Sequence, residues 1–373
     1  MDNRLWLFYP ENDIALARGT ASFTPPAAAA RLRRSGEVLP LWTGRDGDRF
    51  ICSGVNDRWL DTMCRTFRLD VLPWDHTDFS LRPEPWGWSA ASRRWFLESG
   101  FTPDSLPDDA RLDAIRRLSH RRTALQVHSL LHRALPFDVW PEGVEITSPA
   151  DLEARLRACP DSVVKAPWSS SGRGITFSSA DRTDRILQQL CGTIARQGSV
   201  IVEPRARRIT DLAMLFTYAD GTARPEGLSV FLTDDKGSYH GNIVAPQQHL
   251  HDILSRHIDP AQLRAVADAL PDALSAVLGH DYSGPVGVDM MIVRNPADDG
   301  TMLHPCVEVN LRHTMGMVAL RLARFVDRPA MFTILPGDHT AECAYTASDG
   351  LLTSGRLPLN PPGADFTFLL EIR

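Results

Sequence analysis

The sequence predicts a mixed α/β and α+β protein, in which a small open α/β unit precedes a larger part built on antiparallel sheets. Three observations predict it. The first third alternates short apolar runs with helical stretches, and the middle repeats that alternation at a similar spacing. The last third instead shows pairs of strand-length runs joined by turn residues. A chain of 373 residues is too long for one small core, so two or three domains are expected, at 1–115, 116–200 and 201–373.

Each element follows in order. RLWLFY (4–9) is a first strand, followed by a loop and a helix whose start is marked by the double proline before AAAARLRR. EVLPLW (37–42), RFICSG (49–54) and DVLPW (70–74) are short strands, with NDRWLDTMCRTF an amphipathic helix between the last two. Residues 75–107 are rich in proline and tryptophan, without a clear period, and are expected to be irregular and to pack across a boundary. Helical periodicity returns over 108–135. DVWPEGVEI, a helix over 149–158, SVVKAP, a helix over 181–197 and SVIVEP follow. DLAMLFTYADGTARPEGLSVFLT is then a strand pair, and GPVGVDMMIV pairs with MLHPCVEVNLRH.

Composition excludes some classes of function. Hydrophobic content of 43% with 23% charged residues is ordinary for a soluble globular chain. A formal net charge of −6 argues against a general nucleic-acid binder, which needs a basic face. Six cysteines without a CxxC pattern predict reduced, mostly buried thiols. The first apolar run is too short for a signal peptide, and no run reaches the roughly 20 residues of a membrane span. A cytoplasmic location is expected.

The chemistry-bearing residues cluster in the last strand pair. Period-2 alternation puts Val286, Val288, Met290 and Ile292 on one face and Asp289 on the other. It puts Val307, Val309 and Leu311 on one face of the partner run, with Glu308, Asn310 and Arg312 opposite. A hairpin folded about Asp298–Asp299 sets Asp289 roughly opposite Glu308. A solvated hairpin face is polar by default. Two carboxylates and an amide in one patch, however, suit a hard cation such as Mg²⁺, which also takes substrate phosphates.

Upstream, VVKAPWSSSGRGITF ends a strand on Lys165, one of only two lysines in the chain beside Lys236. Lysine offers a compact point charge where arginine offers a fork. Ser169, Ser170, Ser171, Gly172 and Gly174 follow; such a loop can turn N–H groups toward a phosphate, although it is not a P-loop. SVIVEP ends a further strand on Glu203, where Pro204 takes the chain out of the sheet.

This order of elements resembles the ATP-grasp superfamily over roughly residues 115–320, and the first 110 residues or so are similar to the small α/β domain that precedes it. The resemblance implies antiparallel sheets clamping a nucleotide, with ATP and Mg²⁺ as cofactors. It implies that Lys165 contacts the phosphates, that Ser169 to Gly174 close over them, and that Glu203 lies beside adenine and ribose. Asp289, Glu308 and Asn310 become the magnesium ligands, and Arg312 the cation that stabilises the transferring phosphoryl group. The family's earlier basic residue corresponds to Arg121 or Arg122, with Arg122 assigned to the nucleotide. Asp211 either binds ribose or starts a strand.

The activity implied is an ATP-dependent ligase that joins a small carboxylate to an amine through an acyl phosphate. The alternatives are a small-molecule kinase on the same fold and a non-catalytic nucleotide-binding protein. Neither nucleic acid nor membrane is expected as a partner, and self-association is left open. The acceptor site is less legible. Asn12 and Asp13 follow the first strand, where α/β sheets bind ligands, but Asn and Asp also cap helices. Tyr239, His240 and Asn242 lie near the core of the grasp, with His240 read as structural. His313 and the tryptophans of 74–95 are read as packing. Loss of Lys165 is expected to weaken ATP use and leave the fold intact.

Overall fold

Three sheets organise the chain, and the computed structural model describes residues 3–169, 174–180, 183–235 and 237–372 of it. The N-terminal unit runs β1 (Arg4–Leu7), α1 (Asn12–Arg18), α2 (Ala27–Gly36), α3 (Pro40–Thr43), β2 (Arg49–Phe50), α4 (Asp57–Phe67), β3 (Leu72–Pro73), β4 (Arg82–Pro85) and α5 (Ala90–Glu98). Its four strands lie parallel in the order β3-β2-β1-β4. The double proline does start α2, with Pro26 at its N-cap.

Two expectations fail here. EVLPLW is not a strand: Pro40 opens the short helix α3, where a missing N–H costs nothing. Residues 75–107 are not irregular throughout. They carry β4 and α5, the latter begun by a reciprocal Ser89–Ser92 capping box.

The helices α6 (Asp109–Leu118) and α7 (Arg122–Ala134) lead to a four-stranded sheet, β5-β8-β6-β7. It is made of β5 (Val144–Ile146), β6 (Ser162–Lys165), β7 (Ile175–Phe177) and β8 (Val200–Pro204), backed by α8 (Pro149–Ala158) and α9 (Thr183–Gln197). Leu152, Leu156, Ile186, Leu190 and Ile194 pack on Val164, Val200 and Val202 to form its own small core.

The remainder is a nine-stranded antiparallel sheet, in which helices not foreseen in the sequence interrupt the strands. Its elements are β9 (Arg208–Ala219), β10 (Thr222–Thr233), β11 (Tyr239–Val244), α10 (Gln247–Leu254), α11 (Pro260–Leu278), β12 (Gly284–Arg294), β13 (Thr301–Asn310) and α12 (Met315–Leu322). They continue into β14 (Ala330–Pro336), β15 (Tyr345–Ser348), β16 (Leu351–Pro358) and β17 (Phe366–Ile372). The strand order is β13-β12-β9-β10-β11-β14-β17-β16-β15. One face of its first half buries Leu212, Met214, Phe216, Val288, Met290 and Ile292 against α7 and α11. The opposite face carries Asp211, Asp289, Glu308 and Asn310 beside the buried Ala213 and Leu215. Among the described residues no helix is long and apolar enough to cross a membrane. All six cysteines are free thiols, but only Cys306 is fully buried; the other five are half-buried.

Candidate functional site

The polar face of the large sheet carries two carboxylates on one rung. Asp289 of β12 pairs directly with Glu308 of β13, and Gly287 pairs with Asn310. Asn310 is buried and its Nδ2 donates to Asp289 Oδ2 at 3.1 Å. Burial first, and then the facing Glu308 charge, push the Asp289 carboxyl up to about 7. A divalent cation between the two carboxylates would remove that repulsion, and a half-turn of the Asn310 amide would offer Oδ1 as a third oxygen. The donor set therefore fits a hard cation. His128/His132 and His249/His251 stand at metal-like spacing in sequence. Even so, among the described residues no group of three or more His, Cys, Asp or Glu is gathered to hold a metal.

The small sheet turns its own charged pair toward this face. Lys165 pairs with Ile201 in the ladder, and its Nζ reaches Glu203 Oε2 at 2.6 Å, with both side chains buried. The same Nζ approaches the Val307 carbonyl at 3.4 Å, so the two sheets meet beside Glu308. Burial would push Glu203 up, but the Lys165 ammonium and then His304 hold it down at about 2. His304 Nε2 stands 3.6 Å from Glu203 Oε2, and its ring lies 5.1 Å from that of His128. Gly143 leaves the room for Glu203: a Cβ there would lie 2.5 Å from Glu203 Cγ. The sequence reading missed His304, whose one local signal is the proline that follows it in the strand.

Of the two neighbouring arginines, Arg121 reaches the site. It is buried, its Nη1 lies 3.0 Å from Glu308 Oε2, and its Nη2 donates to Ser169 Oγ at 3.0 Å. Arg122, the residue assigned to the nucleotide from sequence, instead turns its half-exposed guanidinium to Glu145 Oε1 at 2.8 Å. The difference follows from helix geometry, since adjacent residues point about 100° apart. Gly174 packs against Ser169 and Ala166, and a Cβ there would lie 2.3 Å from Ser169 Oγ. Ser170, Ser171 and Gly172, like Lys236, lie outside the described residues.

Arg312 ends the polar row, held by a residue far away in sequence. Its Nε donates to both Asp13 oxygens at 2.9 Å, its Nη2 lies 2.7 Å from Asp13 Oδ2, and its Nη1 donates to the His313 carbonyl at 3.2 Å. Burial would lower the Arg312 pKa, but Asp13 raises it further. Asn12, fully buried, packs its amide against Gly87 with neither polar atom partnered. His313 packs between Trp6 and Trp86, with its Nε2 3.0 Å from Glu84 Oε1.

A narrow cleft opens where the three sheets meet, lined by Asp13, Ser119, Trp168, Ser169, Glu308 and Asn310 among others. Arg116 frames it: its guanidinium stacks on Trp168 at 4.4 Å, and its Nε donates to the Leu16 carbonyl. Asp211 lies on the same polar face of the large sheet but inside a strand. It is buried, pushed up by that burial, and partnered by Thr233 Oγ1 at 2.6 Å and Arg208 at 3.4 Å. Asn242 is buried and bonded to Ser229 and Tyr239, whereas His240 points outward.

No family model and no curated protein matches the chain. Solved structures do. The biotin carboxylase–βγ-ATP complex from Campylobacter jejuni superposes with a TM-score of 0.52 at 9% identity, covering 99% of this chain and 86% of that one. The biotin carboxylase domain of the Hydrogenobacter thermophilus 2-oxoglutarate carboxylase, with MgADP, ADP and bicarbonate, gives 0.50 at 11% with the same coverage. N5-carboxyaminoimidazole synthetase from Staphylococcus aureus with ADP gives 0.48 at 12%, covering 100% and 93%. At such identities the likeness is one of fold.

Proposed function

We propose that this chain, whose fold is the ATP-grasp fold, is an ATP- and Mg²⁺-dependent ligase that joins a small-molecule carboxylate to an amine. The observation that carries the reading is the meeting of two charged surfaces, Lys165–Glu203 on the small sheet and Asp289/Glu308 on the large one. Phosphoryl transfer asks a protein mainly for positioning and neutralisation of charge. Lys165, with Arg121 beside Glu308, supplies positive charge along one wall. Glu203, behind them, is the carboxylate for adenine or ribose, and Ser169 and Gly174 bound the segment assigned to the phosphates. Asp289, Glu308 and Asn310 hold the cation, which when bound would bridge and neutralise the phosphates. The substrate carboxylate takes the γ-phosphoryl group, and the amine displaces phosphate from the acyl phosphate. No protein nucleophile is needed.

Two structures of like fold, one solved as a βγ-ATP complex and one with MgADP, support the choice of cofactor. The test is a pairwise screen of small acids and amines with ATP and Mg²⁺, following ADP and phosphate. ADP that requires both co-substrates is expected. ADP from one substrate alone, with a phosphorylated product, overturns the ligase in favour of a kinase. Glu308→Gln keeps an amide oxygen but removes the charge of one carboxylate of the rung, so turnover is expected to fall by at least about 100-fold, the scale of removing one electrostatic stabiliser. An unchanged rate refutes the cation assignment.

A further inference from the structure

The cleft presents a carboxylate where the sequence suggested an arginine. Asp13 lines it, whereas Arg312 stands behind Asp13 and is not part of the lining. Arg312 is held on three sides, by both Asp13 oxygens, by the His313 carbonyl and by the backbone at Gly87, where a Cβ would lie 2.9 Å from Arg312 Cβ. Its charge is thereby committed. A carboxylate accepts about four hydrogen bonds, so Asp13 keeps acceptor capacity on the side that faces the cleft.

We propose that Asp13 is the recognition carboxylate for an amine that binds as its ammonium and gives up a proton to water before its lone pair displaces phosphate from the acyl phosphate, and that Arg312 is the positioning residue that holds Asp13. The proposal rests on the ligase reading and names its acceptor class. Three observations support it. Asp13 follows β1 at the carboxyl end of a parallel sheet, the edge where such sheets bind ligands. Ser119 lines the same cleft and its buried Oγ has no hydrogen-bond partner, so a turn of the side chain toward the cleft would offer a second acceptor for an N–H. The local charges also favour a cation. Three carboxylates, Asp13, Glu308 and Asp289, share two guanidiniums, Arg312 and Arg121, so the row keeps one negative charge in excess. An anionic acceptor would meet an unfavourable wall; an ammonium meets acceptors on two sides.

The test compares two nucleophiles on one acyl phosphate. Wild type, Asp13→Asn and Asp13→Glu are assayed with ATP, Mg²⁺ and the acid found by the screen. Amino acids serve as ammonium acceptors and hydroxylamine as a nucleophile uncharged at neutral pH. Loss of a hydrogen bond to a charged partner predicts a drop of about 10- to 100-fold in kcat/KM for the ammonium acceptor in Asp13→Asn, carried by its KM. The loss with hydroxylamine is expected to be at least several-fold smaller, and Asp13→Glu to recover part of the ammonium activity. Equal losses with both nucleophiles, or an unchanged acceptor KM, overturn the proposal and leave Asp13 as structural support for Arg312. So does wild-type enzyme that uses hydroxylamine but no ammonium acceptor. A wild type that forms no hydroxamate with any acid removes the ligase reading itself, and this inference with it.

Discussion

Lys165 is buried and ion-paired with Glu203, and that decides what its loss would do. Read from sequence alone, Lys165 is a phosphate ligand that can be removed without harm to the fold. The pairing argues otherwise. Removing one member of a buried ion pair leaves an uncompensated charge, at a cost of about 3–5 kcal/mol. Lys165→Met should therefore lower stability by that order at pH 7, as well as weaken ATP binding. The pH dependence has a definite sign. In the wild type Glu203 is held at about 2, below its ordinary value, so its contribution is present above that ordinary value and is lost as pH falls toward 2. Without Lys165 the same buried carboxyl is pushed up, and the variant gains by protonation as pH falls. The stability gap between wild type and Lys165→Met should shrink from pH 7 to pH 4. Urea unfolding of both proteins at several pH values measures it, and a gap that stays constant would separate the pair from the effect.

At the scale of elements, Gly87 sits where the N-terminal unit touches the polar row. A Cβ there would lie 2.5 Å from Asn12 Nδ2 and 2.9 Å from Arg312 Cβ. Gly87→Ala should cost about 1–3 kcal/mol by overpacking and push α1 away from β13. The kinetic damage is expected in the acceptor KM more than in that of ATP; equal effects on both would refute this link. The gripping of Arg312 by Asp13 was not legible in the sequence, because the partners are 299 residues apart and each has an ordinary local reading. The hairpin was legible. Period-2 alternation and the Asp-Asp-Gly turn suffice to put Asp289 opposite Glu308. The register then breaks, with Met291 opposite His304. Pro305 lies in the break and cannot donate to the ladder, a signal present in the HPC triplet. That break belongs to the stretch that brings His304 to Glu203. Elsewhere β2 and β3 fall inside the runs read as strands at 49–54 and 70–74, but their bounds were not legible, because two-residue strands are too brief to show a period.

At the scale of the whole molecule, the first 115 residues do not own their core. Phe8, Trp42, Phe50 and Phe67 pack in one cluster with Phe325, Phe332, Leu357, Leu359, Phe368 and Leu370, drawn from the last fifty residues. The joint is specific as well as apolar: Trp42 Nε1 donates to the Leu359 carbonyl at 2.8 Å, and the Phe366 N–H donates to Ser35 Oγ at 3.1 Å. At Gly36 a Cβ would lie 2.3 Å from the Phe8 ring and 2.8 Å from that of Phe368, so α2 and β17 pack closely there. Sequence spacing treats 1–115 as a unit, since β14–β17 follow it by more than two hundred residues. We propose that the folding unit is instead 1–115 together with the closing strands. A fragment of residues 1–115 should then lack a cooperative unfolding transition, because the face it would expose is the buried side of Phe8 and Trp42. Supplying residues 323–372 in trans should restore protection of the β1 amides from hydrogen exchange. In the full chain, Phe368→Ala should cost about 3–5 kcal/mol and lower the protection of β1 and β17 together. A fragment 1–115 that unfolds cooperatively on its own, or a Phe368→Ala variant that loosens β17 while β1 stays protected, would return the N-terminal unit to independence.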